Sequence, residues 1–441
     1  MAAGGRARRR RSLAAALVLA AGCARVAYQP FPPGPPTGSP PESVPACAAD
    51  ATTIRAARLL DGRGGAFANA VVTVQGETIA SVGACRGAVL HDLGDATLLP
   101  GLIDVHVHLD WHFGPDGRFG ERPGAQAPTD AQRRAAILEN GRRTLEAGFT
   151  TVQSLGSPVD LALREAIARG EAPGPRIVTS AGQIQPGSRT PDELRAVVRE
   201  LRTGGADVIK ALAPEGVADG AAGRRADAQL GAICGEARAL GLRTVVHAQD
   251  PPGIHAAVNA GCGQVEHGTF ADADALRAMA NAAVYFDPNI GLNVQNYLEH
   301  RAEFLGAPGY TAERFRSMTA ILPTLGPLFR RALAARLTMP LGSDAVAGAH
   351  GRNSREIVAR VRDGGQRPSD AIISATSLAA ESLGLGTLIG TLAPGYQADM
   401  VAVRGDPLRD IRVVEDVVFV MTGGRVHTVP DDEASSPAET F

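Results

Sequence analysis

From Gly101 to Asp110 apolar and polar residues take strict turns: Ile103, Val105, Val107 and Leu109 stand between Asp104, His106, His108 and Asp110. A period of two marks a strand with two different faces, so both histidines point the same way. Around this stretch the pattern is of short β segments at 53–55, 70–75, 78–82 and 96–98, separated by Gly and Asp-Gly turns. A matching set returns at 399–404, 413–422 and 425–429. Neither set is large enough to fold alone, so the two ends are expected to meet as one small β-sandwich.

Between these ends strand and helix patterns alternate, which predicts parallel β/α architecture. Helices are expected at 130–146 after Thr129, and at 159–169, 228–240, 253–260 and 273–281. The best marked helix follows Thr190, with Pro191 first, Glu193 closing a capping box, and Leu194, Val197, Val198 and Leu201 on one face. Strands are expected at 149–155, 176–181, 206–212, 243–248, 264–267, 283–287 and 338–343. With the opening strand these make eight, which predicts a closed (β/α)8 TIM barrel within an α/β fold class. A doubly wound open sheet is the alternative, and the lack of a Gly-rich phosphate loop after the first strand argues against it. Two long segments, 288–310 and 345–353, follow the seventh and eighth strands and would lie over the barrel mouth.

With 441 residues, 44 basic and 46 acidic, the chain can bury a large core and has no basic stripe suited to nucleic acid. Arginines cluster only at 6–11, followed by an apolar run at 13–21 and then Gly22-Cys23, the layout of an export signal. Cys23 after Ala20-Ala21-Gly22 resembles the lipobox of bacterial lipoproteins. That resemblance implies a lipidated Cys23, membrane contact through it, and residence in the bacterial cell envelope. A plain cleavable signal, leaving a periplasmic or secreted protein, is the alternative. Residues 24–51, rich in Pro, Gly and Ser from 29 to 45, read as a tether. The domain plan is then 1–23 signal, 24–51 tether, 52–98 and 393–429 sandwich, 99–392 barrel, and 430–441 tail. Cys47 and Cys85 flank the first strand group and could pair, whereas Cys234 and Cys262 read as small buried hydrophobes.

The chemistry sits where the strands end. Lys210 closes Val208-Ile209-Lys210, His247 closes Val245-Val246-His247, His267 closes Val265-Glu266-His267, and Asp344 follows Leu341-Gly342-Ser343. A barrel gathers the C-terminal ends of its strands at one rim, so these residues converge with His106 and His108. Four imidazoles, a lysine and a carboxylate are ligand types suited to zinc or a similar divalent ion. Taken singly, a strand-end histidine is more often a hydrogen-bonded core residue, Lys210 could snorkel to solvent, and Asp344 could cap a loop. Their joint register with the strand ends favours the site. Among apolar neighbours the Lys210 pKa would fall, exposing a neutral amine able to add carbon dioxide as a carbamate.

The segments 101–108, Val265-Glu266-His267-Gly268-Thr269, Gly342-Ser343-Asp344 and the closing 393–399 resemble the amidohydrolase superfamily over roughly residues 52 to 429. Residues 205–210 and the spacing of His247 to His267 are most similar to its imidazolonepropionase-related branch, which includes Xaa-Pro dipeptidases and hydrolases of N-acyl amino acids. The resemblance implies two divalent ions, zinc by ligand type. His106 and His108 would bind the more buried ion, and His247 and His267 the second. A carbamylated Lys210 would bridge them, and Asp344 would serve as ligand and general base. Asp344 and His267 are the candidate catalytic residues. Relatives of this branch often carry an aromatic two residues after the strand-five histidine, where this chain has Gln249.

The implied activity is cleavage of an amide bond in a small peptide or N-acyl amino acid by a metal-activated hydroxide, in the dipeptidase or amidohydrolase classes. Substrate contacts are expected from Gln249, from Tyr297, His300, Phe304 and Tyr310 in one long loop, and from His350 and Arg352, as positive partners for a carboxylate, in the other. Trp111 and His112 are further rim candidates. For each, ordinary loop packing or a solvated charge is the competing reading. Two other functions stay open: opening of a cyclic amide with a single ion, and metal binding by a lipid-anchored protein without turnover. Self-association also stays open.

Overall fold

The computed structural model describes residues 51–83, 89–120, 127–214 and 220–427. Strand β1 (Thr52–Leu60) turns back into β2 (Ala66–Gln75) through a loop stapled by Asp61, whose Oδ1 accepts from the backbone N–H of Arg63 (2.7 Å) and Gly65 (2.9 Å). A short carboxylate capturing its own turn is a strong local signal. β3 (Thr78–Gly83), β4 (His91–Asp92) and β5 (Thr97–Pro100) follow. At the other end of the chain come β14 (Met400–Val403), β15 (Val417–Thr422) and β16 (Arg425–His427). All eight join one sheet, in which β5 pairs with β1 on one side and β14 on the other, so the two sets of β segments do meet. The sheet folds over its own core: Val72 and Val74 of β2 share one apolar cluster with Met400, Phe419 and Met421. The opposite side chains, among them Leu99, Val401 and Val420, pack onto the barrel beside Leu102, Leu145 and Phe149.

Seven barrel positions carry ladders: β6 (Leu102–Val107), β7 (Phe149–Ser154), β8 (Arg176–Thr179) with the short β9 (Gln183–Ile184) after it as the third, β10 (Val208–Leu212), β11 (Arg243–Ala248), β12 (Gln264–His267) and β13 (Tyr285–Asp287). Parallel ladders join β6 to β8 and β9 to β13. Between them the backbone continues the ring, with Asp207 N–H donating to Thr179 O at 2.8 Å.

The eighth strand, expected at 338–343, is an extended segment without a regular ladder. It is still held on both sides: Phe286 N–H donates to Thr338 O (3.0 Å), Val105 N–H to Leu341 O (2.8 Å) and Asp344 N–H to His106 O (2.8 Å). Pro340 has no N–H to give, and Asp344 has a left-handed backbone, φ 51°, so the regular pattern cannot run through. The expected strand at 413–422 is also shortened. Its first half forms a 3-10 turn, Ile411–Glu415, which Asp410 caps by accepting from Arg412 N–H and which buries Ile411 and Val414 three residues apart.

Helices α1 (Asp130–Glu146), α2 (Val159–Ala168), α3 (Pro191–Thr203), α4 (Gly220–Ala239), α5 (Pro251–Asn259) and α6 (Ala273–Asn281) fill the crossovers. The capping box expected at Thr190 forms with Glu193, and Thr129, expected as a cap, forms a second box with Gln132. The segment after β13 holds α7 (Asn293–Glu299) and α8 (Arg301–Phe304), then the 23-residue α9 (Ala312–Ala334). α9 is helical despite Pro323 and Pro327, because Phe315, Met318, Leu325, Leu328 and Phe329 bury one stripe of it. α10 (Ser354–Arg362), α11 (Pro368–Ser374) and α12 (Ser377–Ser382) complete the layer.

Cys234 and Cys262 are bonded to one another, which corrects their reading as free buried thiols. α4 and the turn before β12 pack with the two Cα atoms 5.3 Å apart, a closeness that a sequence separation of 28 does not reveal. Cys23, Cys47, Cys85 and the N-terminal export signal lie outside the described residues.

Candidate metal centre

Parallel strands deliver their C-terminal ends to one rim, and the ligand candidates stand there. His106 lies on β6 with His108 just past it, Lys210 on β10, His247 on β11, Glu266 and His267 at the end of β12, and Asp287 at the end of β13. His267 (φ 66°) and Asp344 (φ 51°) both adopt the left-handed backbone that β-carbons disfavour. Such turns cost on the order of 1–3 kcal/mol each and concentrate at functional sites. Here they re-aim the side chains at the ends of the two barrel segments that flank β13.

The side chains converge. Asp344 Oδ1 lies 3.3 Å from His106 Nε2 and 3.2 Å from His108 Nε2. His106 Nδ1 lies 3.2 Å from Asp287 Oδ2 and 3.3 Å from Glu266 Oε1. The His106 ring is 5.3 Å from that of His267, which is 4.4 Å from that of His247. Lys210 Nζ is ion-paired with Glu266 Oε2, both fully buried. Two donor groups, His106/His108/Asp344 and His106/Glu266/His267, are each compact enough to share an ion, and they have His106 in common. The structure thus brings all six expected ligand candidates into one cluster and adds Glu266 and Asp287 to it.

A second layer of side chains holds the first. Buried Asp104 accepts from the backbone N–H of His106 (3.1 Å) and Ser343 (3.0 Å) and from Asn353 Nδ2 (2.8 Å), tying the first strand to the eighth. Asp287 is gripped by Arg360 (3.3 Å) and Asn289 (2.9 Å), and Arg360, wholly buried on α10, also donates to Glu356 (3.1 Å) and Met339 O (3.1 Å). Gly342 is a glycine because a β-carbon there would run into the Asp287 carboxylate.

Burial sets the charges. It pushes the His106 and His267 imidazoles well below their usual range, so both stay neutral and their nitrogens remain available as ligands. Burial also drives the Lys210 amine down to about 7 and lifts the Asp287 carboxyl to about 6 against the pull of Arg360. Burial would raise the Asp344 carboxyl too, but the neighbouring His106, His108 and Lys210 outweigh it and hold Asp344 ionised. His106 Nε2 is buried with no aligned hydrogen-bond partner, as is Glu266 Oε1. Orphaned nitrogen and oxygen donors around one ionised carboxylate fit a divalent cation of the zinc class.

A cavity of about 340 Å³ opens over the cluster. Gln249 and Tyr297 line it as expected, together with Trp111 and Tyr310, and Gln249 Oε1 is buried without a partner. His300, His350 and Arg352 are not brought to its wall. His300 packs on Phe113 with ring centres 5.4 Å apart. Arg352 is ion-paired with Glu299. His350 is buried and depressed to about 3 by that burial, so it cannot act as the positive partner foreseen for it. Phe304 is buried behind the wall, and His112 Nδ1 turns to Asp110 O at 2.7 Å. The sequence reading missed Glu266, Asp287, Gln183 and Arg314. Glu266 and Asp287 had a signal, a charged residue ending a β pattern; Arg314 had none.

The model of the Amidohydrolase family matches residues 97–427. The chain belongs to the amidohydrolase family. Members of this family are metal-dependent, and the buried His, Glu and Asp groups of this amidohydrolase could bind metal. It is 26% identical over 432 residues to ochratoxinase of Aspergillus niger, covering 87% of this chain and 88% of that protein. Imidazolonepropionase of Rhodococcus jostii is 27% identical over 384 residues, covering 78% and 84%. Among solved structures, a Xaa-Pro dipeptidase with methionine bound in its active site superposes with a TM-score of 0.74 at 26% identity, over 86% of this chain and 99% of that one. These relatives support a metal-dependent hydrolase acting on a carbon–nitrogen bond of a small molecule.

Proposed function

We propose that this amidohydrolase cleaves the amide bond of a small peptide or N-acyl amino acid at a binuclear centre of divalent ions, zinc by ligand type. The carrying observation is that the His106/His108/Asp344 donor group stands beside a second pair of imidazoles, His267 and His247, whose ring centres lie 4.4 Å apart. His106, His108 and Asp344 would hold one ion and His247 and His267 the other, with Lys210 between them. Bound divalent ions lower the pKa of water towards neutrality and polarise a carbonyl oxygen. The Asp344 carboxylate, ionised and facing the centre, takes the proton of the attacking water and returns it to the departing nitrogen. Asp104 and Asp287 hold His106 in place. Lys210, at about 7, is neutral often enough at neutral pH to add carbon dioxide with loss of one proton, which would turn it into a two-oxygen anionic ligand.

Asp344→Asn is expected to lower turnover of a responsive amide by roughly a thousandfold, within the range of general acid–base catalysis, while retaining most of the bound metal. Normal activity would refute its role as the base. Lys210→Ala is expected to halve the metal content measured by elemental analysis; an unchanged two-ion content removes the bridging role.

A single-ion opening of a cyclic amide is the second reading. It is favoured by the Lys210–Glu266 ion pair, which occupies the amine a bridge would need, and by the likeness to imidazolonepropionase. One ion per chain in the unmutated enzyme would select it. We further propose export to the cell envelope, with Cys23 as the lipidated residue. The Cys234–Cys262 bond supports an oxidising compartment, and mass analysis of the N-terminus after expression in a bacterial host tests the anchor.

A further inference from the structure

α9 lays a graded stripe along the cavity. Arg314, Ser317, Met318, Ile321 and Leu325 all face it, at spacings of three and four that keep them on one side of a helix. With a rise of 1.5 Å per residue, Arg314 stands about 10 Å along the axis from Ile321. The far end is apolar, with Met318 and Leu325 buried; the near end is an exposed guanidinium with no carboxylate partner among the described residues. The amine of the wall, Lys210, is paired with Glu266. Arg314, Tyr310, Tyr297 and Asp344 all border the same cavity, and Tyr310 is hydrogen-bonded to the Tyr297 hydroxyl at 3.1 Å. Phe270, also in the wall, is 59% exposed, an unusual position for a large apolar ring.

We propose that Arg314 is the specificity-determining residue that receives the free carboxylate of the substrate, while the substrate's apolar part lies along Met318, Ile321 and Phe270. The substrate class is then an N-acylated amino acid with a bulky apolar group. A guanidinium offers a carboxylate two parallel N–H donors, which a neutral amide or a bare hydrocarbon cannot use. The assignment rests on the reading of the site as an amide hydrolase, and it moves carboxylate recognition away from His350 and Arg352.

The test is a calorimetric titration of the metal-loaded full chain carrying Asp344→Asn, with N-benzoyl-L-phenylalanine and with N-benzoyl-2-phenylethylamine, which lacks the carboxylate. The acid should bind roughly tenfold to a hundredfold more tightly, the range of a charge-assisted pair. Adding Arg314→Ala should collapse that ratio towards unity, Arg314→Lys should keep part of it, and Arg314→Glu should invert it. Equal binding of the two compounds by the parent, or a preference that survives Arg314→Ala, overturns the assignment. Turnover of the acid by the chain with Asp344 intact is read separately: no hydrolysis with the preference intact would defeat the hydrolase reading and leave Arg314 as a carboxylate anchor.

Discussion

Asp160 illustrates how a single residue carries the strain of a polar interior. Its carboxyl is wholly buried, accepts from Thr179 Oγ1 at 3.0 Å, and leaves its other oxygen without a partner. Burial, reinforced by the charge of Asp110, lifts its pKa to about 7 against the hydrogen bonds of Ser154 and Thr179. The unfolded chain releases the same proton near pH 3.9. Between about pH 4 and 7 the native state therefore holds a proton the unfolded state has lost, so the stability this group contributes is present at low pH and falls as pH rises through 7. Asp160→Asn should flatten the decline of unfolding free energy across that window, measured by denaturant titration at several pH values; a slope equal to the parent's would show that Asp160 does not titrate there. The same scale explains what was legible at the centre. His106 and His108 stood out because alternation puts them on one face, whereas Glu266 was masked by the histidine beside it, although the two are adjacent in space as well as in sequence.

Between elements, the Cys234–Cys262 bond ties α4 to the turn that launches β12, the strand that ends in Glu266 and His267. Closing a loop of 28 residues removes enough freedom from the unfolded chain to stabilise the fold by about 3.5 kcal/mol. Replacing both cysteines by alanine should lower the unfolding free energy by about that amount in denaturant titration, with the metal content kept. A loss below about 1 kcal/mol would mean the packing of α4 alone sets the position of β12. Helix ends were legible at this scale: the boxes at Thr129 and Thr190 are local hydrogen bonds between residues three apart. α9 was not, because its two prolines argue against a helix and only the burial of Phe315, Leu325 and Phe329 against the barrel outweighs them.

At the scale of the whole molecule, the first and eighth barrel segments, 237 residues apart when measured from Val107 to Asp344, are locked by Asp104 and by backbone bonds at His106. Cations bound at their junction would stabilise the native state by mass action, about 4 kcal/mol at a thousandfold excess over the dissociation constant. Removing metal with a chelator should lower the thermal midpoint by on the order of 5 °C, and zinc should restore it. A midpoint indifferent to chelator and zinc would argue against ions at this junction.

From the sequence by itself came the alternating β/α plan, the pairing of the two sets of β segments, the capped helices and the residue types that crowd the strand ends. These depend on periodicity and on hydrogen bonds a few residues long, which a linear chain records. Only the tertiary structure decided which long-loop residues meet the cavity, that Lys210 is paired with Glu266, that two distant cysteines are joined, and that Arg314 faces the same space as Asp344. Those outcomes depend on which side chains packing brings within a few ångströms, and contacts of that kind between distant residues leave no period in the sequence.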